Sequence, residues 1–448
     1  MKKIYQKLSL LLLMLVVVAA GCKKDVAKEQ EDANPLQPRI FDILREFSGA
    51  QVIDEGDTAK FTNIEVTPAG KATISWMVNN VEVSKDKKFN FSPKSGGEFT
   101  IKLKVSYNGD SSVRSTKVLV NPSTYTFKPY TKIAMSYLTQ DATAANVNFN
   151  NVTHITYKIG LVSPEGDLDT SPGELGQKAK ELVARAHIAG VPVIMGISGR
   201  LSGIDGWAIY ETNDFGTAIR DPAKRTKLVG LIKAYVAAKR MDGVDIMMTD
   251  INSGNADANM AAIGPFATEL KAALPASAIL TLTATVNYMH WSYPGNLSAF
   301  SWVNVHAFED NIHIGPGAPV GQSSSLQFMK EGIDIWTGNH LPADKLVIGI
   351  PAFGLRYNAL DPQGNNLSWG SYDYMTYKDI LTADPTAYGK EFTDKSGAGG
   401  VYYNGVPLVT DKAKFIKNGL FKGAYLYGGD YDTQDANSLM LAIYSQLK

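Results

Sequence analysis

The sequence predicts an α/β protein, a (β/α)8 TIM barrel preceded by a small all-β sandwich. Three observations predict it. From Tyr125 to Lys448, eight short apolar runs alternate with helix-length segments, over a length that suits one barrel. From Arg39 to Val120 the runs instead alternate apolar and polar residues between turn dipeptides, the pattern of antiparallel hairpins. The stretch that follows the first run of the larger region, "SYLTQDATA", contains no glycine, whereas a doubly wound open sheet usually offers a glycine-rich phosphate loop there.

Residues 1–21 read as a secretory signal. Lys2, Lys3 and Lys7 form a basic start, and Leu8 to Val18 is an apolar run too short to span a bilayer as a mature helix. The small residues of "VAAGC" resemble a bacterial lipobox, with Cys22 as the acylated residue. Cys22 is the sole cysteine of the chain, which excludes intramolecular disulfides and thiolate metal clusters. The expectation is a soluble body lipid-anchored to a bacterial membrane, at the outer membrane or cell surface. Residues 22–37 are charged and lack aromatic side chains, so they read as a flexible tether. Residues 38–121 carry "TISWMVNN", "FNFSP", "EFTIKLKVSYNG" and "STKVLV", with turns at Asn79-Asn80, Gly96-Gly97 and Asn108-Gly109, and Trp76 as a core residue. They resemble the immunoglobulin-like or PKD-like modules of secreted bacterial proteins. Lys+Arg and Asp+Glu both number 44, so no global field points to a nucleic-acid partner.

Residues 126–448 hold the barrel. Its strand candidates are "KIAMSYL", "HITYKIGLV", "PVIMGIS", "GVDIMMT", "ILTLTATV", "WVNVHAF", "LVIGIPAF" and "GAYLYGG". Helical stretches such as "LGQKAKELVARAHIAG", "RTKLVGLIKAYVAAKRM" and "NMAAIGPFATELKAAL" lie between them. Alternate side chains of a strand point to opposite faces. In the fourth run, Asp245, Met247 and Thr249 therefore share the column toward the barrel axis, and the apolar Val244, Ile246 and Met248 share the column toward the helices.

Six segments, in order, resemble glycoside hydrolase family 18, the chitinase-like and endo-β-N-acetylglucosaminidase-like barrels: "HITYKIGLVSPEGDL", "IMGISGR", "DGVDIMMT", "VNVHAFED", "VIGIPAFGLRY" and "GLFKGAYLYGGDYD". The family's fourth strand reads Asp-Gly-x-Asp-x-Asp-x-Glu, ending in the general acid, and the substrate's own 2-acetamido group acts as nucleophile. Matched to that motif, Asp242 and Asp245 are retained, while Met247 and Thr249 stand where the last two acids belong. Neither a thioether nor a hydroxyl serves as a general acid near neutral pH. The sixth-strand tyrosine that grips the acetamido carbonyl is matched by Phe308, with His306 and Glu309 at the flanking positions, and the floor tryptophan of the eighth strand by Tyr427. The resemblance thus implies a barrel that binds GlcNAc-containing glycans, chitin-type or N-glycan, without efficient hydrolysis.

An active endo-acting hydrolase using a displaced carboxylate, Glu309 or Asp250, is the alternative, and a scaffold or adhesin is a third reading. Aromatic residues cluster on strand exits, where barrel sites are built. Sugar rings have apolar faces that stack on such side chains. Tyr137, Trp207, Tyr288, Trp291, Tyr357 and Tyr427, with His306 and Glu309, are the expected glycan contacts, and core packing is the competing role for each. Asp250 can equally serve as a loop or cap residue. No cofactor is expected, and His154, His187 and His313 lack the ligand spacing of a metal site.

Overall fold

The computed structural model describes residues 37–171, 175–199, 211–248, 256–286 and 297–448. The chain divides into two compact units between Val120 and Asn121.

In the first unit the longest strands are Gly97–Tyr107 and Asp110–Asn121, paired antiparallel within a five-stranded sheet. Asn108 and Gly109 turn this hairpin, both at positive φ, as a tight hairpin connection requires. Asn79 and Asn80 do the same between Thr73–Val78 and Val81–Ser84. Two further pairs, Arg39–Asp42 with Ile64–Thr67 and Ala59–Phe61 with Phe89–Phe91, complete the described strands. Trp76 is fully buried among Phe47, Phe61 and Phe89, and its indole N–H donates to the carbonyl of Asp86 at 2.9 Å. A buried indole needs such a partner.

The second unit is a closed barrel of eight parallel strands: Ile133–Leu138, His154–Val162, Val193–Gly199, Gly243–Met248, Ile279–Thr285, Trp302–His306, Leu346–Pro351 and Gly423–Tyr427. Closure comes from the first strand, which pairs with both the second and the eighth. All eight expected strands are present. Some of the helices between them begin where the sequence supplies caps. Asp221 accepts hydrogen bonds from the backbone N–H groups of Ala223 and Lys224 ahead of the helix Pro222–Lys239, and Ser325 caps Leu326–Gly338. The stretch expected as one helix around "NMAAIGPFATELKAAL" is two, Ala256–Ala261 and Ile263–Ala273. Among the described residues no helix is long and apolar enough to cross a membrane.

Two separate apolar layers follow from strand alternation. Val244, Ile246 and Met248 pack outward with helix residues such as Leu228, Ile232 and Phe266. Inside the barrel, Ile133, Met135, Tyr137, Ile194, Met247, Ile279, Trp302, Phe308, Val347 and Tyr425 form a second cluster. Gly349 makes room for it, because a Cβ there would lie 2.7 Å from the rings of Phe308 and Tyr425. Burying this much aromatic and aliphatic surface contributes about 1.5–3 kcal/mol for each large side chain.

One element was not anticipated. Between the seventh and eighth strands, Phe353–Tyr357, Tyr372–Thr376, Phe392–Thr393 and Gly400–Tyr402 form a four-stranded antiparallel sheet, with the helix Tyr377–Ala383 among them. Arg356 fastens two of these strands by a bidentate bond to Asp373, at 2.7 and 2.6 Å.

Candidate functional site

The fourth strand places the two retained acids of the motif at different depths, one at the closed end and one inside the barrel. Asp242 lies just before the strand, at the closed end. One of its oxygens accepts from the Tyr125 hydroxyl at 2.6 Å, and the other from the backbone N–H of Val193 at 2.7 Å while bonding His187 Nε2 at 2.9 Å. His187 Nδ1 in turn bonds the side-chain oxygen of Asn121, and the Tyr125 ring stacks on the imidazole. Every contact of this group is structural.

Asp245 points into the barrel and is fully buried. Four donors hold it: Thr281 at 2.5 Å, Tyr137 and Thr283 at 2.8 Å, and the Asn304 amide at 2.9 Å. Burial still raises its pKa above the ordinary carboxylate value, the hydrogen bonds from Thr281, Thr283, Tyr137 and Asn304 opposing the shift. Asn304 is itself fixed by the Trp302 indole, which donates to its side-chain oxygen at 2.9 Å. Met247, one step nearer the mouth, is almost fully buried in the inner cluster, and its sulfur accepts from Tyr137 at 3.6 Å. Thr249 and Asp250 lie outside the described residues.

The sixth strand supplies the other half of the site. Asn304 and His306 share its inward column, and Phe308 follows, fully buried against Tyr425, Tyr427 and Phe353. His306 is only 5% exposed. Its Nε2 bonds Glu309 Oε2 at 2.8 Å, while its Nδ1 has no partner among the described residues. Glu309 reaches the mouth, with 34% of its side chain exposed and a backbone φ of 65° in the left-handed region. Burial pushes its carboxyl up, but the hydrogen bond and charge of His306 and the hydroxyl of Tyr374 outweigh that and hold it below the ordinary glutamate value. Tyr374 is raised by burial and by the neighbouring carboxylate.

The expected aromatic contacts separate into three groups. Tyr427 is half-buried at the end of the eighth strand, within 5.4–5.6 Å of the Tyr137, His306 and Phe308 rings. Tyr137 lies lower, 1% exposed, and its hydroxyl is engaged by Asp245. Tyr357 is a correction: it is fully buried in the inserted sheet, donating to the carbonyl of His313 and accepting from the N–H of Gly321, so it offers no face to a ligand. Trp207, Tyr288 and Trp291 lie outside the described residues, as does Cys22.

Phe353, Tyr372 and Tyr374 were missed. They belong to the unanticipated sheet. Tyr374 is 51% exposed, packs edge-on against Phe353 at 5.2 Å, and reaches Glu309. The alternation in "SYDYMTY" was the available signal. Chemically, the described site combines an apolar floor, one fully engaged acid beneath it, and one ionised carboxylate framed by tyrosines at the rim.

The sequence profile of glycosyl hydrolases family 18 matches residues 125–432. The chain belongs to this family. Among curated relatives of this family 18 protein, a chitinase-like effector from Moniliophthora roreri is 25% identical over 240 residues, 48% of this chain and 55% of the effector. A class V chitinase from Lotus japonicus is 25% identical over 162 residues, 32% of this chain and 39% of that one. The family 18 chain therefore covers less than two thirds of the length of either relative. Among solved structures, the chitinase ChiB from the chitin utilization locus of Flavobacterium johnsoniae aligns with a TM-score of 0.57 at 21% identity, over 71% of this chain and 94% of that chain. The chitinase-like agglutinin of Robinia pseudoacacia aligns at 0.56 and 17% identity, over 70% and 100%. A mutant class V chitinase from Nicotiana tobaccum, in complex with NAG4, aligns at 0.56 and 17% identity, over 70% and 99%. These likenesses show that the family 18 barrel shares their fold.

Proposed function

We propose that this is an exported lipoprotein, anchored through Cys22, whose barrel binds GlcNAc-containing glycans without efficient hydrolysis, and whose Ig/PKD-like first unit acts as a spacer. The observation that carries the reading is Met247: a thioether packed with Phe308 and Tyr425 occupies the column in which this family carries acids. The position of the general acid itself is held by Thr249, and general acid catalysis by a positioned group contributes about 10²–10⁴ in rate. Without it, and with a phenyl ring in place of the hydroxyl that grips the acetamido group, turnover falls below ordinary enzyme rates. The Robinia agglutinin and the Moniliophthora effector, both described as chitinase-like, support a binding role on this fold, and the NAG4 complex supports the ligand class.

The displaced-acid reading has one observation in its favour, the carboxylate of Glu309 at the mouth. Its lowered pKa counts against it, because a general acid must hold its proton near the working pH. Titration of the protein with GlcNAc oligomers and N-glycans by calorimetry tests the proposal. The expected dissociation constant is on the order of micromolar to millimolar, weakened in Tyr427→Ala and Trp291→Ala. If no oligomer binds, or both folded variants bind unchanged, the cleft is not the site. If a fluorogenic chito-oligosaccharide is turned over at ordinary rates, and Glu309→Gln or Asp250→Asn abolishes this, the displaced-acid reading replaces the proposal.

A further inference from the structure

The rim of the barrel carries one feature that acetamido binding leaves unexplained. Glu309 keeps a left-handed φ of 65°, a conformation that side chains other than glycine seldom adopt. The conformation brings a carboxylate to the mouth, bonded by His306 and Tyr374, with 34% of its side chain exposed. Directly beside it Phe308 presents no hydroxyl, and the acid beneath, Asp245, is saturated by four donors. His306 Nδ1 is a second, independent observation: a polar atom on a 5% exposed side chain, without a partner among the described residues. The half-exposed Tyr374 and the Tyr427 ring frame the position with aromatic faces.

Resting on the reading that this mouth binds amino-sugar chains, we propose that Glu309 makes it selective for an unacetylated, cationic amino sugar, so that the preferred ligand is a partly or fully deacetylated GlcNAc-type chain. A 2-ammonium group donates a charge-assisted hydrogen bond to the carboxylate, roughly twice as strong as one between neutral groups. The tyrosine faces add cation–π attraction. A 2-acetamido group offers the carboxylate only a neutral N–H, and its acetyl group removes water from the charge without compensating it.

The test is calorimetric titration of the full chain with the glucosamine tetrasaccharide and the GlcNAc tetrasaccharide, in parallel, at a pH where the free amine is charged. The glucosamine oligomer should bind about tenfold more tightly, a difference of roughly 1.4 kcal/mol. Its advantage should shrink as salt is raised, because a rim-exposed charge pair is screened. Glu309→Gln should bring the two affinities together, and Tyr374→Phe, which keeps the ring but not the hydroxyl, should narrow the gap. Equal or tighter binding of the GlcNAc oligomer overturns the proposal and leaves glycan binding standing. So does a glucosamine preference indifferent to salt, or one that survives in folded Glu309→Gln. If neither oligomer binds, both readings fall.

Discussion

Met247 shows how one substitution alters both chemistry and stability. Returning a carboxylate there, as Met247→Asp, would place a charge in the inner apolar cluster, where the sulfur now meets the Tyr137 hydroxyl. The expected result is a loss on the order of a few kcal/mol in urea denaturation at neutral pH. No hydrolysis of chito-oligosaccharides should appear, even in combination with Thr249→Glu, while Phe308 remains. Asp245 gives a second test. Its folded pKa is raised, so its contribution to stability is greatest below the ordinary carboxylate range and declines as pH rises toward the raised value. The four donors limit that decline. Tyr137→Phe removes one of them without opening a cavity, and should cost about 1–3 kcal/mol, with more of the loss at neutral than at acid pH, since the ionised form depends most on its donors.

At the scale of elements, the helix Val406–Asn418 is fastened to distant chain by one buried ammonium. Lys412 is fully buried and donates to the carbonyl and hydroxyl of Ser324 and to the side-chain oxygen of Asn404, at 2.7, 3.1 and 2.7 Å. None of these partners is an acid, and burial lowers its pKa from 10.5 to about 7. Between those values the unfolded chain binds the proton more than the folded one does, so the contribution of Lys412 to stability rises with pH across that window. Lys412→Met should flatten this limb of a plot of Tm against pH. An unchanged slope would show that another group sets it. The example also marks where sequence reading stops. The eight barrel strands and the two columns of the fourth were legible, because apolar runs and strict alternation are local patterns. Lys412 was not, since Ser324 and Asn404 come from separate segments. Of the inserted sheet only the alternation in "SYDYMTY" was legible, since its other strands, of two to five residues, carry too little periodicity. Glu309 was placed at the mouth by its match to the sixth-strand motif, but its hold by Tyr374 depends on that insertion and was out of reach.

For the whole molecule, the reading of an exported and anchored protein turns on Cys22. Labelled palmitate should enter the wild-type protein and be absent from Cys22→Ser, and equal labelling of both would remove the anchor from the account. One acyl chain gives only marginal membrane binding, so the mature cysteine should carry more than one. Glycan binding by Cys22→Ser should match the wild type, because the proposed ligand site lies in the barrel.

On the proposed reading of an anchored protein whose barrel grips a polymer, the clamp around Asp242 has a mechanical meaning. The chain enters the second unit through Asn121, Pro122 and Tyr125. His187 holds the first, Asp242 holds the third, and the Arg240 guanidinium donates to the carbonyls of Asn121 and Pro122. Tension on the proposed anchor would then be resisted at the closed end of the strands, by these side-chain bonds. The mouth, at the opposite ends of the same strands, stays out of the load path, and a pull on the anchor need not loosen the hold on the glycan.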